Sequence, residues 1–161
     1  MGGFAGGLSL SLEHGGQMDA LKLVALDRED LQIVSAHVQD AVMKIGDLRY
    51  VPREKRFVVA MNRYAWEGDG GLFRRKRERR KAVLHFDRVL AARTHGIDLA
   101  RPDEVLSLLA VSFTPGEAPA GVVDLVFSGG GTIRLDVECI EVRVGDVGAA
   151  WQASSTPIHR S

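Results

Sequence analysis

Hydrophobic and polar positions change period several times along the chain, and each change marks an element. From Asp27 onward, apolar residues return at spacings of three and four: Leu31, Val34, Val38, Ala41 and Val42. That spacing draws one stripe along a helix. Asp27 suits the N-cap, Glu29 and Asp30 suit a first turn where the helix dipole favours negative charge, and Gly46 suits a stop. The pattern predicts one helix over residues 28–44.

After Gly46 the period falls to two, the mark of half-buried strands. Asp47 to Val51 reads as a short strand, and Pro52 to Lys55 as a turn. Arg56 to Trp66 sets Phe57, Val59 and Met61 against Val58, Ala60 and Tyr64. Ala82 to Ala92 sets Leu84, Phe86 and Leu90 against His85, Asp87 and Ala91. Val105 to Phe113 is apolar on both faces, so the helix or a second subunit should cover it, and homodimerisation is one way to do so. Beyond Cys139 two readings stay open: Ile140, Val142 and Val144 alternate as in a strand, while Ile140, Val144 and Val147 fit a helix.

Between these lies a hairpin, Val122 to Val137, reversed at Ser128-Gly129-Gly130-Gly131. Paired residues share a face. A four-residue loop, Ser128 to Gly131, sets Leu125 opposite Arg134 and puts a charge against the core. A three-residue loop, Gly129 to Gly131, pairs Phe127 with Ile133, Leu125 with Leu135 and Val123 with Val137. This register buries more apolar surface, and glycine supplies the positive φ that the turn needs.

These elements predict an α+β domain, with one N-terminal helix covering a strongly bent antiparallel sheet of about six strands in meander order. A small β-barrel or pleckstrin-homology-like roll is the alternative. Residues 1–17 are Gly-rich without a period and read as a disordered or vector-derived leader, 18–151 as one domain, and 152–161 as a polar tail. Basic and acidic residues balance at 21 each, so no global field draws the chain to nucleic acid or an anionic membrane. Cys139 stands alone, which excludes an internal disulfide and fits the cytoplasm. Beside Val137 and Ile140 it reads as a small buried hydrophobe. No apolar window is long enough to cross a bilayer as a helix.

The segments Leu23-Val24-Ala25, Val83 to Val89, Leu106 to Ala110 and Ile133 to Ile140 together resemble an uncharacterised bacterial family of short single-domain proteins, over about residues 19–151. That family carries only a domain-of-unknown-function label. The resemblance implies no catalytic residue.

Two constellations carry candidate chemistry. Arg74, Arg75, Lys76, Arg77, Arg79, Arg80 and Lys81 form a basic run broken only by Glu78, leaving 14 basic against 20 acidic residues elsewhere. A solvated hairpin loop is the simpler reading. The alternatives are contact with nucleic acid or another polyanion, with Tyr64, Trp66 and Phe73 near enough in sequence to stack on bases, or docking on an acidic protein. The second constellation is the polar face of the hairpin. The preferred register opposes Asp124 to Asp136 and adds Arg134 and Glu138, an acidic patch for a basic partner or a hard cation, which His85 and Asp87 join if they share that face. A charged face simply open to water is the plainer reading.

Nucleophilic catalysis finds little support. Cys139 with His85 or His95 lacks a third, orienting group, there is no Gly-x-Ser-x-Gly elbow, and the glycine loop lacks the lysine and helix of a phosphate loop. No cofactor or metal is expected. The function expected is a non-enzymatic binding or adaptor module, against a polyanion-associated protein and a ligand-binding barrel or enzyme.

Overall fold

The computed structural model of the chain describes residues 20–67 and 76–147. The leader 1–17, the tail 152–161 and the residues Phe73, Arg74 and Arg75 lie outside the described residues. Within them stand β1 (Lys22–Ala25), α1 (Arg28–Val38), β2 (Val42–Lys44), β3 (Leu48–Val51), β4 (Arg56–Glu67) and β5 (Lys76–Asp87). Then follow β6 (Val89–His95), β7 (Val105–Pro115), β8 (Gly121–Phe127), β9 (Thr132–Val137) and β10 (Val142–Asp146).

The fold is α+β, a bent antiparallel sheet with one helix, but among the described residues it has ten strands rather than about six. Nor is the order a meander. The path runs β1-β10-β5-β4-β2-β7-β8-β9-β6, with β3 paired onto β4. The four residues of β1 are too few to show a period, and the strand finds its partner far along the chain, Leu23 opposite Val144. The segment after Cys139, open between helix and strand in the sequence, is therefore a strand, held between β1 and β5.

Several extra strands arise where the chain bends. Arg88, at φ 64, breaks what the alternation reads as one strand into β5 and β6. The break inverts the alternation. Phe86 is buried, as is Val89, while Leu90, expected on the core face, is 52% exposed. The bend carries β6 away from β4 to pair with β9. Likewise β7 shifts register between Leu108 and Ala110, so that Leu106, Leu108 and Val111 face inward and Leu109 faces out. A bulge of this kind adds one residue to a strand and reverses the side-chain phase beyond it.

The helix is shorter than its sequence stripe. Asp27 caps it as expected, its Oδ1 accepting from Asp30 N at 2.8 Å. It ends at Val38, however, not at 44. Asp40 turns left-handed at φ 70, its N–H donates to Leu108 O, and Leu108 N donates back to Ala41 O. These bonds draw Ala41 and Val42 out of the helix, and Val42 opens β2. Leu31, Val34 and Val38 lie buried in α1, which packs on β7, β1 and β4. One hydrophobic core unites them with Leu23, Val59, Leu84, Leu108 and Leu125. Phe57 and Phe86, opposite each other on β4 and β5, pack their rings at 6.2 Å and 52°.

The hairpin of β8 and β9 keeps the expected buried face and changes its partners. The loop has three residues, but they are Ser128 to Gly130. Phe127 N donates to Gly131 O, and Leu125 faces Ile133, with Val123 facing Leu135. Gly129 at φ 86 and Gly130 at φ 100 make the reversal. Gly131 is extended and serves a different need, because a Cβ there would meet Ile97 Cγ1 at 2.9 Å. The slide of two residues leaves each side chain on its face.

Candidate functional site

That same slide removes the acidic patch. Asp124 lies opposite Arg134, not Asp136. Arg134 Nε and Nη2 donate to its two carboxylate oxygens at 2.9 and 3.2 Å. Asp136 instead lies near Arg93 of β6, whose Nη2 is 3.3 Å from both of its oxygens. Glu138 leaves the sheet face altogether. It sits in the turn after β9, accepting from Lys55 Nζ at 2.8 Å and lying 3.6 Å from Arg88 Nη1. The hydrogen bond from Lys55, joined by the charge of Arg88, holds the Glu138 carboxyl below its usual range. Nor do His85 and Asp87 join the group, since they lie on β5 opposite Val58 and Arg56. The expected oxygen-rich patch is thus a ladder of ion pairs, and among the described residues no three His, Cys, Asp or Glu side chains converge as metal ligands.

The basic run also differs from the expected loop. From Lys76 onward it is strand β5, paired in register with β4. Alternation therefore divides it between two faces. Arg80, opposite Arg63, belongs to the inner face. Arg63 is buried, and its Nε and Nη2 donate to Asp146 Oδ1 and Oδ2 at 2.7 and 2.9 Å. Arg80 Nη1 stands 3.6 Å from the same carboxylate and its Nη2 3.3 Å from Glu78. Leu21 N completes the cluster with a 3.0 Å bond to Asp146 Oδ2. Sequence reasoning passes over Arg63 and Asp146. The available signal is parity, because Arg63 continues the buried positions Phe57, Val59 and Met61.

The outer face takes the rest. Lys81 lies opposite Asn62, Arg79 opposite Tyr64, and Arg77 opposite Trp66 in the backbone register. Arg79 and Lys81 are exposed, and Tyr64 is half-buried. Where β2 diverges from β4 after the single pair Val42–Asn62, an open groove of about 570 Å³ follows, lined among others by Lys44, Ala60, Asn62, Lys81 and Val83. Further along this face, Arg143 lies opposite His85. Asp87 accepts from Arg56 Nε at 2.8 Å and from Arg143 Nη2 at 3.1 Å. Burial raises the Asp87 pKa, but the bond from Arg56 and the charges of both arginines outweigh it and the net shift is downward. Burial, with Arg143 and Arg56 close by, pushes His85 below the usual histidine value, only partly offset by Asp87.

The sequence profile of a family described as "Protein of unknown function (DUF2948)" matches residues 21–159. The chain belongs to this family. Membership in DUF2948 agrees with the resemblance read from the strand segments and assigns no activity. No curated protein and no solved structure matches the chain. Among the described residues of this DUF2948 member, no helix is long and apolar enough to cross a membrane. Cys139 is half-buried in the turn between β9 and β10.

Proposed function

We propose that this protein is a non-enzymatic binding module that holds single-stranded nucleic acid along the outer face of the β4–β5 pair. The observation that carries the reading is the cross-strand register, which sets Tyr64 against Arg79 and Asn62 against Lys81. An aromatic ring offers a base a surface to stack on, and a neighbouring cation neutralises the phosphate beside it. Unpaired bases can use such rings, whereas a duplex keeps its bases stacked inside. The groove beyond Asn62 continues the line, with Lys81 and Lys44 both at its walls.

Fluorescence anisotropy of a labelled single-stranded oligonucleotide, measured across a salt series, tests this. Affinity should fall steeply with salt. Each phosphate contact on a single strand contributes about 0.7 to the log–log slope, so Arg79→Ser with Lys81→Ser should lower it by about 1.4. Tyr64→Ala should cost about 1–3 kcal/mol of binding. An oligonucleotide that ignores the wild-type chain at low salt, or binds the double variant equally well, removes the reading.

A further inference from the structure

A second site lies on the other part of the sheet, between β6 and β9. Their register sets Arg93 directly opposite Arg134, and His95 opposite Thr132 two residues further on the same face. Like charges directly across a strand pair repel, and here each guanidinium is balanced by a carboxylate, Asp136 for Arg93 and Asp124 for Arg134. Those carboxylates use few of the donors. A guanidinium has five N–H groups. Arg134 spends its Nε and one Nη2 donor on Asp124, and Arg93 spends Nη2 alone on Asp136.

Both arginines line an open notch of about 460 Å³, together with Thr94, His95 and Thr132. None of these five is acidic. Asp124 and Asp136 are outside the lining. Thr94 lies opposite buried Ile133, so alternation turns its side chain to the other face, and the notch gathers two guanidinium groups, the Thr132 hydroxyl and an imidazole.

We infer that this notch binds the terminal phosphate of a small phosphate monoester. Each guanidinium, shared with one carboxylate, keeps N–H donors that can grip phosphate oxygens in forked pairs. The Thr132 hydroxyl and the His95 imidazole N–H can supply further donors to a tetrahedral group with three terminal oxygens. The notch is larger than inorganic phosphate needs, which leaves room for the organic part of the ester. The site is separate from the β4–β5 surface and does not depend on the function proposed for it.

Calorimetric titration of the full chain with phenyl phosphate, with inorganic phosphate and phenylsulfonate as comparisons, tests the site. Phenyl phosphate should bind with a dissociation constant of about 1 mM or tighter, and the monoanionic sulfonate more weakly. Arg93→Gln and Arg134→Gln should each weaken phenyl phosphate about tenfold, a loss typical of one charged hydrogen-bonding partner. Asp136→Asn removes a competing carboxylate and should tighten it about threefold, a gain that a purely structural role for the ladder would not produce. Arg79→Ser with Lys81→Ser should leave it unchanged. The inference is overturned by no binding up to about 10 mM, by wild-type affinity in both arginine variants, or by loss in the Arg79/Lys81 variant. If an arginine variant fails to fold by circular dichroism, the Asp136→Asn result decides: tightening supports the site, and none overturns it.

Discussion

Arg63 and Asp146 close a two-pronged ion pair at 2.7 and 2.9 Å with side chains only 6% and 1% exposed, although 83 residues separate them in sequence. The pair joins β4 to the end of β10, and Leu21 N adds the start of β1 to the same carboxylate. It anchors the sheet where the first and last of the described strands meet.

Removing one member of such a pair strands the other charge out of water, at a cost of about 3–5 kcal/mol. Asp146→Ala should approach that range, because it leaves Arg63 without its carboxylate and Leu21 N without an acceptor. Arg63→Met should cost less, since Arg80 stays 3.6 Å from Asp146 and Leu21 still donates. Urea unfolding of the two variants checks the order. An Asp146→Ala variant as stable as wild type would show that the pair does not hold the strands.

Stability should fall in two steps on acidification. His85 has a lowered folded pKa, so its contribution is complete above its ordinary value of 6.5 and is lost as pH falls through the folded value. Asp87 is also lowered, so its contribution is present above 3.8 and is lost as pH drops further through its own folded value. His85→Gln should flatten the first step alone, and Asp87→Asn should reduce the second, which the lowered Glu138 carboxyl shares. Thermal melts across the acid range should separate them, and identical profiles for wild type and His85→Gln would refute the assignment.

The bulge in β7 sets neighbouring leucines to opposite tasks. Leu108→Ala should cost about 2–5 kcal/mol, as for a fully buried leucine. Leu109→Ser, on a side chain 43% exposed, should stay within about 0.5 kcal/mol. Equal losses in denaturant melts would place the bulge elsewhere.

At the hairpin, alanine at Gly129 or Gly130 should cost about 1–2 kcal/mol through backbone strain alone. Nothing lies within 4 Å of the point where either new Cβ would stand. Gly131→Ala acts by another route, pressing on Ile97. Removing its γ carbon with Ile97→Ala should therefore recover part of the Gly131→Ala loss in chemical denaturation and none of the Gly130→Ala loss.

By itself the sequence determined what local chemistry can determine. Asp27 was legible as a cap because a short acceptor three residues before Asp30 N has one obvious donor. The buried face of β8 and β9 was legible because side chains alternate strictly, so a loop placed two residues off leaves Val123, Leu125, Ile133 and Leu135 on the same side. Partners across strands were a different matter. Asp124 meets Arg134 rather than Asp136 through that same small slide, and only the assembled turn, with Ile97 against Gly131, decides it. The inverted phase after Arg88 and the early end of α1 at Val38 likewise depend on bonds to distant strands, which outweigh local periodicity. The two candidate surfaces belong to this second class: their side chains converge only when β4 lies on β5 and β9 lies on β6, and no local pattern encodes that pairing.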